Sequence, residues 1–376
     1  MRATGPGVRH CPRRTPQPQL RAASHGRHGP ARRKQAGHPG TRVLVRVPRP
    51  DAVLVVIRTW PEAQLLRSLR GVLPHVPRCL ASTATATVLS YVEGVPLSRV
   101  CPNGHPVDHL HIADLAQLLA RTTQVRREAL PELPDCWPGD DQESQGSLRT
   151  LTRLADRQIR RPNWSAHGGL FTALGVPEDV LSRMAANVPA MTRRPYGLLH
   201  GDLHRDNVVL TADGDPRMIA VDWELATYGD PLYDLATHLI RMRYPELQQE
   251  TVITAWAEAM ESTVPAATKG MDRDLPHYLA FERAQSVFPD VIRAARSLRQ
   301  APQRERTPDE LLHAAESAVR HALQVGAKPL GLRDLPSEAK VRDVLYRWQE
   351  SGPDGPAGPG NDVRDHTNPV EAGLAR

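Results

Sequence analysis

The chain contains His200-Gly-Asp-Leu-His-Arg-Asp-Asn207, followed fourteen residues later by Val221-Asp-Trp-Glu224. Between these polar segments, residues 207–210 and 217–221 are short apolar runs of the kind found in strands. They flank Asp213-Gly214, a dipeptide typical of tight hairpin turns. The sequence therefore predicts a strand pair that connects the two polar segments.

Three oxygen-bearing side chains in these segments, Asp202, Asn207 and Asp222, repeat the order and spacing of a kinase catalytic loop and its second metal-binding residue. Phosphoryl transfer places charge on nonbridging oxygens, so it depends mainly on metal placement and on alignment of the acceptor hydroxyl. Asn207 and Asp222 offer the hard oxygen ligands that Mg²⁺ prefers. Asp202 is predicted to orient the acceptor hydroxyl and to take its proton.

Together with Gly229-Asp-Pro-Leu-Tyr-Asp-Leu-Ala236, these segments resemble the aminoglycoside phosphotransferase and choline kinase family. The resemblance implies an α+β, protein-kinase-like fold with a small β-rich N-lobe and a larger, mainly helical C-lobe. It implies an enzyme that phosphorylates a hydroxyl of a small molecule with ATP and Mg²⁺. It further implies that Asp202 is the catalytic base, that Asn207 and Asp222 hold Mg²⁺, and that Asp234 braces the catalytic loop.

The segment before the catalytic loop is expected to bind the nucleotide. In kinases a strand Lys pairs with a helix Glu and fixes the phosphates, and Glu62, in a helix predicted to begin at Pro61, is the candidate Glu. No Lys lies between Lys34 and Glu62. The cation is therefore assigned to Arg46, with Arg58 as the alternative, although Arg lacks the compact ammonium of Lys.

Residues 88–94, Val-Leu-Ser-Tyr-Val-Glu-Gly, resemble the hinge between the two lobes, where backbone groups near Ser90 and Val92 would bind the adenine edge. An ordinary strand and turn is the alternative for this segment. A Gly-rich phosphate loop is expected before Arg46, but the glycines there lie among Arg, His and Pro without strand context. Two alternatives follow: a truncated N-lobe, or a catalytically weak pseudokinase that binds a nucleotide or a small molecule.

Composition and periodicity divide the chain into four parts. Residues 1–41 are predicted to form a disordered basic arm, 42–95 the N-lobe, 96–330 the helical C-lobe, and 331–376 a C-terminal helix with a disordered tail. In the N-lobe we expect a hairpin of residues 42–47 and 52–57, then strands at 78–81 and 87–92. The helices predicted for the C-lobe are 112–123, 146–160, 177–186, 231–242, 248–261, 275–299 and 308–325.

Charge is distributed unevenly along the chain. Residues 1–50 hold twelve Lys and Arg and no Asp or Glu, whereas the whole chain carries +6, so the remainder sums to −6. The basic pI near 9.4 thus describes an arm joined to an acidic body, and a nucleic-acid partner is not indicated, since the arm lacks interleaved aromatic residues. The acidic body would suit a cationic amino sugar or amino-alcohol, with solvated helix faces as the alternative interpretation of its acidic residues. No oligomeric state is predicted.

The cysteines and the apolar segments bear on the cellular compartment. Cys11, Cys79, Cys101 and Cys136 are far apart in sequence, which predicts neither a disulfide framework nor a structural zinc site and favours the cytoplasm. No apolar run reaches the roughly 18 residues that span a bilayer, so no membrane partner is predicted. The first residues also lack the apolar stretch of a signal peptide.

Overall fold

The computed structural model describes residues 42–47, 55–299 and 307–351. The chain combines helices with small sheets, so the mixed α and β composition expected from the sequence is confirmed. The predicted disordered arm and tail lie outside the described residues. In the described ranges no helix is both long and apolar enough to cross a membrane.

The strands form three small antiparallel sheets. In the first sheet β3 lies between β1 and β2, in the second β6 lies between β4 and β7, and the third pairs β5 with β8. The predicted strand pair around Asp213-Gly214 is confirmed as β6 and β7. The strands are β1 Val43–Arg46, β2 Cys79–Ser82, β3 Thr87–Ser90, β4 Gly94–Pro96, β5 Gly197–Leu199, β6 Val208–Thr211, β7 Met218–Ala220 and β8 Thr227–Gly229.

The hairpin predicted for residues 42–47 and 52–57 is wrong in its described part. β1 pairs with β3 instead, with Val43 opposite Ser90. Residues 55–57 form no strand, and the first of them is buried in the core. An apolar β-branched run predicts that a segment will be buried. It does not predict whether the segment forms a strand, or with which other strand it pairs.

Helices make up most of the remaining described chain. A π-helical turn, Asp156–Arg160, connects α4 to α5, so the predicted helix 146–160 continues further than expected. Its continuation contains Pro162, directly after the π-helical turn, where proline removes one N–H from the helical hydrogen bonds. The helices are α1 Glu62–Ser68, α2 Leu97–Val100, α3 His109–Thr123, α4 Ser144–Ala155, α5 Arg161–Ala173, α6 Val180–Ala186, α7 Pro231–Met242, α8 Glu246–Glu261, α9 Met271–Arg299, α10 Pro308–Leu330 and α11 Glu338–Glu350.

Helix α7 has the bounds predicted from the sequence and is buried along most of its length. Asp230 caps it by accepting the N–H of Leu232 at 3.0 Å. The fully buried Arg194 donates to Asp230 at 2.7 Å and to Asp274, in the first turn of α9, at 2.8 Å. This charge-assisted network holds the start of α7 against α9, and α7 in turn contacts the candidate site.

Candidate active site

The loop 200–207 connects β5 to β6 and begins with a tight turn at Gly201. Gly201 has φ +72°, and a Cβ atom there would lie 2.4 Å from the carbonyl oxygen of Leu225. Both the left-handed backbone and the close approach exclude a side chain. The glycine therefore allows the loop to pass against the segment that follows Asp222.

Asp202 and Asn207 contact each other within this loop. The amide Nδ2 of Asn207 donates to the carbonyl oxygen of Asp202 at 2.9 Å and lies 3.2 Å from its Oδ2. The backbone N–H of Asn207 donates to the carbonyl oxygen of His204 at 2.9 Å. These bonds hold the Asn207 side chain by its NH₂ group and do not use its amide oxygen.

Asp222 follows strand β7 and is joined to the loop through the backbone. The N–H of Val221 donates to the carbonyl oxygen of Asn207 at 2.9 Å. Asp222 itself adopts a left-handed conformation with φ +66°, which Asp tolerates better than most residues. The structure thus places Asp222 directly after a residue that is hydrogen-bonded to the loop of Asp202 and Asn207.

Arg46 lies between two carboxylates. Its Nη1 is 2.9 Å from Oε2 of Glu62 and 2.9 Å from Oδ1 of Asp222. The other oxygen of Glu62 accepts the N–H of Trp223 at 3.0 Å. Arg58, the alternative cation, contacts Glu224 instead, at 2.7 Å in an exposed position. The structure therefore brings Arg46, and not Arg58, to Glu62.

Burial governs the electrostatics of this group. Burial alone would lower the pKa of Arg46, but the neighbouring Asp222 and Glu62 carboxylates outweigh it and raise the pKa, so the guanidinium stays charged. Burial also raises the pKa of Glu62 to about 7, with Arg46 opposing the shift. The Arg46 guanidinium therefore favours the ionised form of Glu62 and opposes the effect of burial.

The two residues expected at the adenine edge differ in how their backbones are used. The N–H of Ser90 donates to the carbonyl oxygen of Arg78 at 2.8 Å. The Ser90 hydroxyl accepts the backbone N–H of Arg78, also at 2.8 Å. The Ser90 N–H is therefore engaged beside the sheet. Val92 lies half-buried in the short segment between β3 and β4, and the adenine role of both residues stays a prediction.

The first residues of the loop are held by a buried acid and a neutral histidine. Asp234 accepts the N–H groups of His200 and Gly201, each at 2.8 Å. Burial raises the pKa of Asp234 to about 6, although these two bonds oppose the shift. The His200 ring lies between Val221 and Asp202, with Nε2 3.2 Å from a carbonyl and Nδ1 accepting an N–H at 3.3 Å. Burial lowers the pKa of His200 to about 4, so the ring is neutral.

Two arginines near the loop were not identified from the sequence. Arg205, within the loop, is buried and donates to four backbone carbonyls. Arg241, at the end of α7, contacts the Asp202 carboxylate. An Arg beside an acidic motif carries no local signal of burial, because its partners are distant in sequence. The carbonyls bound by Arg205 belong to Met242, Cys101, Pro102 and His105.

The donor set fits the Mg²⁺ expected from the sequence. Asn207 has an amide oxygen that its hydrogen bonds leave unused, and Asp222 supplies a carboxylate on the adjacent segment. Amide and carboxylate oxygens are the ligands that Mg²⁺ takes together with substrate phosphates.

Comparison with known proteins shows a match to one protein family. The model of the phosphotransferase enzyme family matches residues 19–271. That range contains all the predicted site residues and also part of the predicted basic arm. Among curated proteins the chain has no matching relative.

Several solved structures are similar over most of their length. A putative aminoglycoside phosphotransferase from Ralstonia eutropha is 16% identical, with TM-score 0.48, over 82% of this chain and 87% of that one. A macrolide 2′-phosphotransferase from Brachybacterium faecium is 19% identical, with TM-score 0.42, over 80% and 88%. Choline kinase from Streptococcus pneumoniae is 13% identical, with TM-score 0.42, over 77% and 87%.

Proposed function

The chain belongs to the phosphotransferase enzyme family, and from this premise we propose that it transfers the γ-phosphoryl group of ATP, with Mg²⁺, to a hydroxyl of a small molecule. One observation carries the proposal. The N–H of Val221, the residue before Asp222, donates to the carbonyl oxygen of Asn207, and Asp202 precedes Asn207 on a loop held by Asp234. This arrangement matches the chemical needs of phosphoryl transfer more closely than a purely structural role.

Each residue of the site has a role in the proposed reaction. Asp202 accepts the proton of the acceptor hydroxyl, whose oxygen forms the new bond to phosphorus while the bond to ADP breaks. Asn207 and Asp222 would hold Mg²⁺, which when bound neutralises charge on the phosphate oxygens. Arg46, held by Glu62, provides positive charge on the phosphate side of the site.

The division into lobes is part of the same proposal. We assign residues 42–95 to an N-lobe on the nucleotide side, with Val92 and Ser90 at the adenine, and residues 96–330 to the C-lobe. Beyond residue 330, the described residues contribute helix α11. The Arg46–Asp222 pair then connects the two lobes, whereas the Arg46–Glu62 pair lies within the N-lobe.

The acceptor is proposed to be an amino sugar or an amino-alcohol. Outside its first fifty residues the chain carries a net charge of −6. An acidic body raises the local concentration of cationic small molecules and repels nucleic acid.

The separated cysteines support a cytoplasmic location, and Cys79, Cys101 and Cys136 are free thiols.

A second candidate is a binding module with weak catalysis. It is favoured by the contact between Arg46 and Asp222, which directs the guanidinium to a carboxylate that the enzyme needs for Mg²⁺. An Arg in place of the usual Lys is also a poorer match to a compact phosphate site. Such a protein would bind Mg·ATP or a small molecule without turnover.

A direct assay separates the two candidates. We would incubate the purified chain with labelled ATP, Mg²⁺ and a panel of aminoglycosides, macrolides, choline and other amino-alcohols, with Asp202→Asn as the matched control. If the chain is an enzyme, the rate of phosphoryl transfer should fall about 100- to 10,000-fold in the Asp202→Asn variant. Calorimetric binding of Mg·ATP without transfer would favour the module, and absence of both would refute both.

A further inference from the structure

One face of helix α7 holds four consecutive residues of the catalytic loop. Asp234, His238 and Arg241 are spaced i, i+4 and i+7, which places them on the same side of the helix. Asp234 binds the N–H groups of residues 200 and 201, and His238 Nδ1 lies 2.8 Å from the carbonyl oxygen of Leu203. Arg241 contacts the side chain of Asp202, the fourth of these loop residues.

Arg241 is itself anchored on α9. Its Nη1 donates to Oδ1 of Asp202, and its Nη2 lies 3.5 Å from Oε2 of Glu282, which is 2% exposed. Gln285 also donates to this Glu282 oxygen, at 3.3 Å. Burial would lower the pKa of Arg241, but Asp202 and Glu282 outweigh it and raise the pKa, so the guanidinium remains charged.

The Asp202 carboxylate is therefore held at both oxygens. Arg241 binds Oδ1 from α7, and the Asn207 amide lies 3.2 Å from Oδ2 within the loop. His204 Nε2 also lies 3.6 Å from Oδ1, so Arg241 and Asn207 are the two hydrogen-bonding partners of a carboxylate whose terminal torsion is otherwise broad and roughly two-fold. With both partners present, the orientation of the oxygens toward an acceptor hydroxyl is set before substrate binds.

We propose that Arg241 is a positioning residue for Asp202 and that Glu282 is its buried anchor. This inference rests on the proposed function, since it assigns Arg241 an effect on phosphoryl transfer through Asp202. Arg241 does not contact the Arg46, Glu62 and Asp222 group on the phosphate side of the site. Its effect is therefore expected on turnover and not on nucleotide binding.

The test compares Arg241→Gln, Arg241→Lys and Glu282→Gln, with Arg320→Gln as the control. Arg320 forms an exposed ion pair with Glu338 at 2.7 Å on α10, and its replacement should leave turnover unchanged. Arg241→Gln should lower kcat about 10- to 100-fold while the KM for ATP changes less than about twofold. Arg241→Lys should recover part of the loss, and Glu282→Gln should fall between Arg241→Gln and the native protein.

A double variant shows whether Arg241 acts through Asp202. In an Asp202→Asn background, Arg241→Gln should leave the residual rate unchanged, because the group it positions is no longer a base. A further loss of rate in the double variant, or native kcat in Arg241→Gln with native denaturant stability, would overturn the inference alone. Absence of transfer by the native protein across the panel would refute the proposed function, and this inference with it.

Discussion

Arg46 Nη1 lies 2.9 Å from Asp222 Oδ1, although 176 residues separate the two positions in sequence. The contact joins the first described strand, β1, to the residue that follows β7. The same nitrogen contacts Glu62 on α1. A single side chain thus connects three segments at the centre of the candidate site, and several measurable properties depend on it.

Replacement of Arg46 should weaken both the fold and nucleotide binding. Arg46→Ala would leave the half-buried Glu62 and Asp222 without their cation, at a cost of about 1–3 kcal/mol in the free energy of unfolding. Mg·ATP affinity should fall about tenfold or more. Denaturant titration and calorimetry measure the two effects, and Arg46→Lys should restore stability in part.

Arg58→Ala is the matched control for this prediction. Its exposed pair with Glu224 should contribute less than about 1 kcal/mol. Equal effects of Arg46→Ala and Arg58→Ala on Mg·ATP affinity would contradict the assignment of Arg46 to the phosphate side.

Two glycines with the same backbone conformation should respond differently to alanine. Gly201 and Gly214 both have φ +72°, but a Cβ at Gly201 would meet the Leu225 carbonyl oxygen at 2.4 Å, whereas at Gly214 it would meet nothing within 4 Å. Gly214→Ala should cost about 1 kcal/mol from backbone strain and leave activity intact. Gly201→Ala should destabilise more and abolish transfer, as measured by thermal unfolding and the labelled-ATP assay. Retention of transfer in Gly201→Ala would show that the loop tolerates displacement.

Asp234 should be important for both stability and activity. Asp234→Ala would leave the buried N–H groups of His200 and Gly201 without their acceptor, at a cost of about 1–3 kcal/mol for each group. The loop that carries Asp202 would lose its main backbone support. We expect reduced stability in urea and a fall in kcat of about tenfold or more.

Asp108→Ala provides the comparison for Asp234. Asp108 caps α3 by accepting the N–H of Leu110 at 2.8 Å, so its loss should cost about 1 kcal/mol without changing kcat. A similar kcat for both alanine variants would show that Asp234 supports the fold but not the loop.

The buried His238 should make stability depend on pH. Its ring lies between the Leu203 carbonyl, 2.8 Å from Nδ1, and the Tyr244 hydroxyl, 2.9 Å from Nε2, and burial lowers its pKa to about 4. The unfolded chain binds the proton near pH 6.5, before the folded chain does. This residue's contribution is therefore complete above pH 6.5 and is lost as pH falls toward 4, by up to about 1.4 kcal/mol per pH unit.

Replacement of His238 isolates its share of that dependence. His238→Gln should be less stable than the native protein at pH 7.5 but should lose stability less steeply between pH 6.5 and 4.5, as followed by urea unfolding. His109→Gln, at an exposed side chain on α3, should keep the native slope. Parallel curves for the native protein and His238→Gln would contradict the neutral, buried state of this histidine.

Local patterns in the chain were enough to predict much of the architecture around the site. The bounds of α7 at residues 231–242 and the β6–β7 pair follow from apolar periodicity and from a turn dipeptide. These signals act over one or two helical turns, where dihedral preferences and side-chain spacing operate directly. The three-residue strands β5 and β8 were missed because such short runs carry almost no periodic signal.

The sequence by itself determined the separations of Asp202, Asn207 and Asp222 along the chain, and the prediction of phosphoryl-transfer chemistry rests on those separations. Only the tertiary structure decided that Arg46, and not Arg58, meets Glu62. The tertiary structure also placed Arg241 on Asp202 and paired β1 with β3. The physical reason is that contacts between distant segments depend on how whole elements pack, and no short stretch of sequence contains that information.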